Sequence, residues 1–259
     1  MTSAELAEAR ILITGGTSGI GLATAEAFVN AGSRKIVLAG RDEARGAAAC
    51  RRLKELSDGT RPLFVSGDVT VAGDAARIVA EAEAAFGGVD VLVNSAGGDH
   101  LPKLFHEQTA EGAVQVAHNC LDPVILMCRA VLPSMYGQRS GAIINVASDA
   151  AKVGTPGEAV IGAAMAGIVM FSRGLSLEAK RLGVRVNAIT PSIVRGTRTY
   201  ERIQAEPFSE KLFAKAEGAA HLGVVEPDDI APLIVFLASA AAARLTGQAI
   251  SVNGGISAA

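Results

Sequence analysis

The sequence predicts an α/β fold: one doubly wound layer in which a seven-stranded parallel sheet carries helices on both faces. Three observations predict it. Short apolar, β-branched runs alternate with longer Ala-rich amphipathic stretches along the whole chain. A glycine-rich turn follows the first of those runs. No linker, repeat or low-complexity tract divides the 259 residues, so 1–259 read as a single domain.

Taken in order, the first strand is 11–14, an Ile-Leu-Ile run before Thr14, and its turn opens a helix over 19–31. Strand 35–39 leads to helix 43–57, and strand 63–66 to helix 72–86. Strand 89–94 precedes the long periodic stretch 110–136, and strand 142–147 precedes helix 157–182. Strand 185–190 opens a charge-rich region, 191–225, bounded by Pro191 and Pro227; helix 227–239 and strand 249–252 complete the pattern. Repeats of strand, helix and strand at these lengths close right-handed βαβ units whose strands run parallel. A stretch as long as 191–225 with no strong periodicity is usually functional, commonly a lid.

Composition narrows the function classes. Apolar content of 49% and a mean hydropathy of +0.34 suffice for a large core. The longest apolar runs are broken by Gly, Ser or charge short of a membrane span, so no membrane partner is expected. The start, Met1-Thr2-Ser3-Ala4-Glu5-Leu6, carries an acid and no basic apolar leader, so no secretory signal is read there. Cys50, Cys120 and Cys128 lack metal-ligand spacing and read as buried or half-buried thiols of a reducing cytoplasm. A net charge of −2, a pI near 6.1 and the absence of Trp give neither a basic field nor a stacking platform for nucleic acid.

Ile11-Leu12-Ile13-Thr14-Gly15-Gly16-Thr17-Ser18-Gly19-Ile20-Gly21 joins the first strand to the first helix. Glycines at 15, 19 and 21 permit a tight turn and close approach to a pyrophosphate, and the helix beyond points open N–H groups at that anion. The spacing Thr-Gly-x-x-x-Gly-x-Gly resembles the short-chain dehydrogenase/reductase family, a Rossmann-type fold. Asp68-Val69 resembles the pair that meets adenine in that family, and Asn94-Ser95-Ala96-Gly97 its Asn-Asn-Ala-Gly motif, with Ser95 in place of one Asn. Asn119, the run Asn145-Val146-Ala147-Ser148, the strand from Arg185 to Pro191, and the segments Pro227–Ala231 and 246–255 also match in order. Ser192 stands where the family usually has Gly.

The resemblance implies NAD or NADP held by Gly15, Thr17, Ser18, Gly19, Ile20, Gly21, Arg41, Asp68, Val69, Asn94, Ala96 and Gly97. At the end of the second strand Gly40 occupies the usual acid position and Arg41 follows. A carboxylate there would favour NAD. Arg41 suits a 2′-phosphate and leans towards NADP; it also reads as a residue that merely caps or solvates the turn, and a third reading is that no nucleotide binds.

Family chemistry, as the resemblance implies it, needs a Tyr to move the proton, a Lys four residues on to lower the Tyr pKa, a Ser to orient the substrate oxygen and an Asn for a water relay. Ser148 and Asn119 match the Ser and the Asn. Thirteen residues beyond Ser148, the family spacing, stands Ile161; four further stands Met165. The chain has 2 tyrosines, Tyr136 and Tyr200, and the residues four beyond them are Ser140 and Gln204. No Tyr-x-x-x-Lys exists, so Ser148 and Asn119 are remnants of a catalytic set. Lys152, Asp149, His100, His118 and Glu158 belong to segments expected near the cleft rim, where each reads either as a substitute acid or as a solvated residue.

Gly162, Ala163, Ala166 and Gly167 give the 157–182 helix a small-residue surface, and family members pair subunits through this helix and the 110–136 helix, commonly into tetramers. The run Asn145–Gly154 followed by Gly157-Glu158-Ala159-Val160 resembles dehydrogenases of cyclic-acid hydroxyacyl-CoA thioesters in anaerobic aromatic degradation. In those relatives Tyr comes next; here it is Ile161. One of them, acting on 2-[hydroxy(phenyl)methyl]succinyl-CoA in toluene breakdown, is built from two different short-chain-type subunits, and this chain resembles a non-catalytic partner in such an enzyme. Arg195, Arg198, Arg202, Lys211 and Lys215 face either CoA phosphates or solvent. Three expectations stand: a silent subunit, in a hetero-oligomer, of an NAD(P)-dependent hydroxyacyl-CoA dehydrogenase whose partner is catalytically competent; an enoyl-CoA-type reductase with a substitute proton donor; or a nucleotide-binding protein that is no enzyme.

Overall fold

The middle of β1 (Arg10–Thr14) is apolar on both faces because neither face meets water: Ile11, Leu12 and Ile13 are all buried. The computed structural model describes residues 3–97 and 100–259, with the side chains of 3–5 left aside. Met1 and Thr2 of the leading segment lie outside the described residues. Beside β1 lie β2 (Lys35–Gly40), β3 (Arg61–Ser66), β4 (Val91–Asn94), β5 (Gly141–Val146), β6 (Val184–Pro191) and β7 (Ala249–Val252). They form one seven-stranded sheet in the order β3-β2-β1-β4-β5-β6-β7, every pair parallel. The chain winds outward from β1 to β3, then crosses back to lay β4 on the other side of β1.

Parallel strands need crossovers, and the crossovers cover the sheet. The helices are α1 (Ser3–Glu8), α2 (Gly19–Asn30), α3 (Glu43–Leu56), α4 (Ala72–Phe86), α5 (Ala110–Gln138), α6 (Ala159–Ala179), α7 (Arg198–Gln204), α8 (Pro207–Ala219) and α9 (Pro227–Ala238). Residues of α4, α5 and α6 pack on Leu12, Val37, Leu92 and Ile143. Those of α2, α3 and α9 pack on Ile11, Ile13, Ile36, Leu38, Val91, Val93 and Ile144. Alternate residues of one strand thus feed opposite cores, as a period of two requires. The fold is the expected single Rossmann-type α/β layer sandwich.

Two differences from the sequence reading have local causes. The 191–225 region contains α7 and α8. Thr197 caps α7 by accepting from the Tyr200 N–H at 3.2 Å. Glu206 caps α8 by accepting from the N–H groups of Phe208 and Ser209, and Pro207 starts that helix. Dense charge on the outer faces hid their periodicity. The helix expected from 157 begins at Ala159 instead, because Gly157 takes φ +82, outside the helical range.

Arg185 ties the last helix to the sheet. Its guanidinium donates to the carbonyls of Leu237 (2.6 Å), Ala238 (3.2 Å), Ser239 (3.3 Å) and Leu245 (3.5 Å). The end of α9 presents carbonyls with no helical partner, and a charged donor satisfies them. Replacing it in Arg185→Leu strands those acceptors and lowers stability by about 2–4 kcal/mol. The urea midpoint should fall with an unchanged slope.

Candidate nucleotide and substrate cleft

Where the winding reverses, the loops after β1 and β4 part and open a cleft beyond the carboxyl ends of the strands. Its volume is 690 Å³. The turn after β1 forms one wall. Gly15 takes φ +65, and a Cβ on it would lie 2.8 Å from the Ser95 carbonyl oxygen and 2.9 Å from the Ala96 nitrogen. A Cβ on Gly21 would overlap the Gly15 carbonyl, so the first turn of α2 packs directly on the glycine turn. The Thr14 hydroxyl accepts from the N–H groups of Ser95 (3.2 Å) and Ala96 (3.1 Å), locking the two loops together. Ser18 precedes α2 and makes no side-chain cap, so the first-turn N–H groups are not claimed by it.

Further along this wall, Gly40, Arg41, Arg45, Asp68, Val69 and Thr70 line the cleft. No acid ends β2. Arg41 is mostly exposed, with its guanidinium 3.7 Å from the Asp68 carboxylate. Hydrogen bonds from the Thr70 N–H and hydroxyl hold the Asp68 carboxyl below its usual range; burial opposes them and Arg41 adds attraction. Arg45 lies against Asp42 at 2.8 Å. The glycine turn and the open helix end suit the pyrophosphate of a dinucleotide.

At the other end the turn after β5 presents Ser148, whose hydroxyl accepts from the Ala150 N–H at 3.2 Å and keeps its own proton to donate. Asn119 comes from α5. Pro123, one turn on, has no N–H, so the Asn119 carbonyl lacks its helical partner beside the cleft. The Asn119 side-chain nitrogen is 3.2 Å from His100 Nε2. Ile161 and Met165 of α6 complete this wall, and Met165 also packs on the buried core. Neither side chain can give or take a proton at neutral pH.

Of the residues named from sequence, Gly15, Thr17, Ser18, Gly19, Ile20, Arg41, Asp68, Val69, Ala96, Gly97, Asn119, Ser148, Ile161 and Met165 all line the one cleft. Gly21 and Asn94 lie behind it. Asn94 is buried, and its side-chain nitrogen donates to the Asn145 side-chain oxygen Oδ1 at 2.9 Å and reaches Cys128 Sγ at 3.5 Å. Burial pushes that thiol up to about 12, which makes it inert. Sequence reading missed Pro102, Thr197, Leu212, Phe213, Ala216 and Ile256 on the walls. An apolar Leu212-Phe213 pair amid charges was the available signal.

The possible substitute acids separate cleanly. Lys152 and His118 are absent from the cleft walls. Lys152 donates to the Ala249 carbonyl (3.0 Å) and the Ser251 hydroxyl (2.9 Å), and exposed His118 pairs with Asp122 at 2.9 Å. Asp149 touches the cleft, but it accepts from Asn253 (2.9 Å), Ser257 (2.5 Å) and Ser251 (3.3 Å). His100 and Glu158 remain. Burial pushes the Glu158 carboxyl above its ordinary value, and a hydrogen bond with Thr155 pulls it partly back. Among the described residues no group of three or more His, Cys, Asp and Glu side chains is placed to hold a metal ion.

Residues 9–207 match the short chain dehydrogenase family. The chain belongs to that family. It is 32% identical over 246 residues to the 3-oxoacyl-(acyl-carrier-protein) reductase FabG of Chlamydia muridarum, across 95% of this chain and 96% of that one. Identity is also 32%, over 245 residues, to 2,3-dihydroxy-2,3-dihydro-p-cumate dehydrogenase of Pseudomonas putida, across 94% and 92% of the two chains. Among solved structures, an NADPH-bound short chain oxidoreductase from Pseudomonas aeruginosa PAO1 with an atypical catalytic centre superposes with a TM-score of 0.89. It is 31% identical, with 98% of each chain covered.

For this short chain dehydrogenase the raised Glu158 carboxyl has a stability consequence. A carboxyl whose folded pKa lies above its unfolded one adds stability below the unfolded value, and that stability is lost as pH rises through the folded value. Glu158→Gln cannot ionise. Its urea midpoint should therefore gain on the wild type as pH is raised from about 4 to 8, and parallel profiles would contradict the burial argument.

Proposed function

We propose that this chain is the non-catalytic, nucleotide-binding subunit of a heteromeric NAD(P)-dependent 3-hydroxyacyl-CoA dehydrogenase, with proton transfer performed in a competent short-chain-type partner. The observation that carries the reading is the pair Ile161 and Met165 on the same cleft wall as Ser148 and Asn119. Bound NAD(P) would supply hydride chemistry, held by the glycine turn, the start of α2 and the Arg41 corner. Without a positioned acid or base, that chemistry slows by roughly 10²–10⁴-fold.

Support for a partner comes from α6. Contrary to the sequence reading that the apolar runs break short of a membrane span, the helix and the turn after it, 159–182, are long and apolar enough to cross one by length and composition, and only 33% of the most apolar window is buried. Because α6 joins β5 to the parallel neighbour β6, it must lie along the sheet. Its outer face shows Met170 and Leu177, 62% and 60% exposed, and α5 beside it shows Val114 and Ile125. Such a face favours a second chain. A partner that binds only the folded subunit stabilises it, so a silent chain can still be required for activity.

Support for the substrate class comes from the 145–160 run, which resembles dehydrogenases of cyclic hydroxyacyl-CoA esters. The Chlamydia relative's name likewise gives a 3-oxoacyl thioester. A substrate such as 2-[hydroxy(phenyl)methyl]succinyl-CoA fits an apolar cleft wall built from Ile161, Met165, Leu212 and Phe213. A second reading, an NADPH-dependent reductase with a substitute donor, is favoured by the Pseudomonas aeruginosa relative and by His100 and Glu158 on the walls.

Two measurements test these readings. The chain should be purified alone and with a short-chain-type protein encoded beside it, and assayed with 3-hydroxyacyl-CoA esters. Turnover is expected from the pair only; turnover by the lone chain at comparable rates selects the second reading. Separately, NADPH fluorescence should report tighter binding than NADH. Arg41→Ala should weaken NADPH about tenfold, as loss of one charged hydrogen bond implies, while leaving NADH unchanged.

A further inference from the structure

Among the described residues three carboxylates line the cleft: Asp68, Asp149 and Glu158. Asp68 is committed to Thr70, and Asp149 to Asn253 and Ser257. Among the described residues Glu158 has a side-chain hydrogen bond with Thr155 only, and it stands at the start of α6, one turn before Ile161.

Its position is closely determined. The preceding Gly157 is buried at φ +82, and its carbonyl accepts from the Lys103 N–H at 2.8 Å. A Cβ there would lie 2.9 Å from the Phe208 ring and 3.1 Å from Pro102 Cβ. The turn is therefore clamped between the loop after β4 and the start of α8. On its other side, a Cβ on Gly162 would lie 2.8 Å from the Ala150 carbonyl. The first turn of α6 thus packs on the 149–151 turn that follows Ser148. Glu158 and Ser148 are carried by two segments that pack directly on each other.

We propose that Glu158 is a ligand-recognition residue, whose carboxyl works with the Ser148 hydroxyl to hold the 3-oxo oxygen of an acyl thioester in this chain's own cleft. The inference rests on reading the cleft as an acyl-thioester site. Ile161 and Met165 offer nothing to a ligand oxygen, so an oxo group entering this wall needs another donor or loses its hydrogen bonds with water. A neutral carboxyl donates; a carboxylate does not. A subunit that turns nothing over would still discriminate 3-oxo esters from their deoxy counterparts.

The test is calorimetric titration of the full-length chain, saturated with NADPH, against acetoacetyl-CoA and butyryl-CoA. The wild type should bind acetoacetyl-CoA about 10–100-fold more tightly, the range expected for one desolvated hydrogen bond. Glu158→Leu should remove the preference while butyryl-CoA still binds. Glu158→Gln, whose amide donates at every pH, should restore it. Raising the pH should erode the wild-type preference and leave that of Glu158→Gln flat. His100, Asp149, Arg198 and Tyr200 also border the cleft, so pH dependence that survives in Glu158→Gln would assign the effect to them and overturn the proposal. Equal affinity of the wild type for both esters overturns the role of Glu158 alone. If neither ester binds while NADPH does, the acyl-thioester reading fails, and the proposal with it.

Discussion

The contact on which the site depends is the one between the turn after β1 and the loop after β4. The two strands are neighbours, but their connections leave in opposite directions, and the gap so opened is the cleft. It stays narrow at its base because Gly15 carries no side chain against Ser95 and Ala96, and because Thr14 takes both of their N–H groups. Any side chain at 15 would force the loops apart. With the base fixed, the start of α2, the Arg41 corner and Ser148 fall on walls facing one volume. That strand order brings the functional groups described above to one volume.

The fold was legible in the sequence because parallel strands covered on both faces leave continuous Ile, Leu and Val runs, which few other environments tolerate. Ile11–Ile13 and Ile36–Leu38 are examples, each alternating between two cores. Helices α7 and α8 were not legible in the same way. α8 shows an apolar edge of Leu212, Phe213 and Ala216 to the cleft, α7 brings Arg198 and Tyr200 there beside Ile203, and Glu206 caps α8 where Ser, Thr, Asp or Asn would have been sought. Site placement divides along a similar line. Motif residues on the strand ends point into the cleft. Asn94 turns inward to Asn145, and Lys152 turns away to strand β7. Sequence spacing gives the position of a residue near a site; the partner that claims its side chain is a matter of tertiary contact.

Asp149 illustrates the same distinction within the cleft. A carboxylate one residue after Ser148 looks like a candidate for chemistry. Instead it accepts from Asn253 and Ser257, fastening the chain after β7 beneath the Ser148 turn, and Ile256 of that segment joins the cleft wall. Its buried charge is balanced by hydrogen bonds, with Lys152 close enough to feel it. Structure consumes this acid.

The exchange of a proton-carrying pair for Ile161 and Met165 changes more than catalysis. Met165 lies partly in the core beneath α6, packed with the residues that bind α5 and α6 to the sheet. A lysine ammonium at that position would need solvent, a carboxylate or a bound ribose to offset its burial, whereas a flexible thioether fills the space without a partner. The substitution therefore makes the helix independent of what the cleft contains. A catalytic subunit needs its acid–base pair poised against a bound nucleotide; a subunit valued for its surface needs α6 to hold its shape whether or not the nucleotide is there. The outward residues Met170 and Leu177 belong to the same helix, and on the proposed reading they would meet a second chain. On the proposed reading, loss of the chemistry and retention of an interface would be two consequences of one apolar helix.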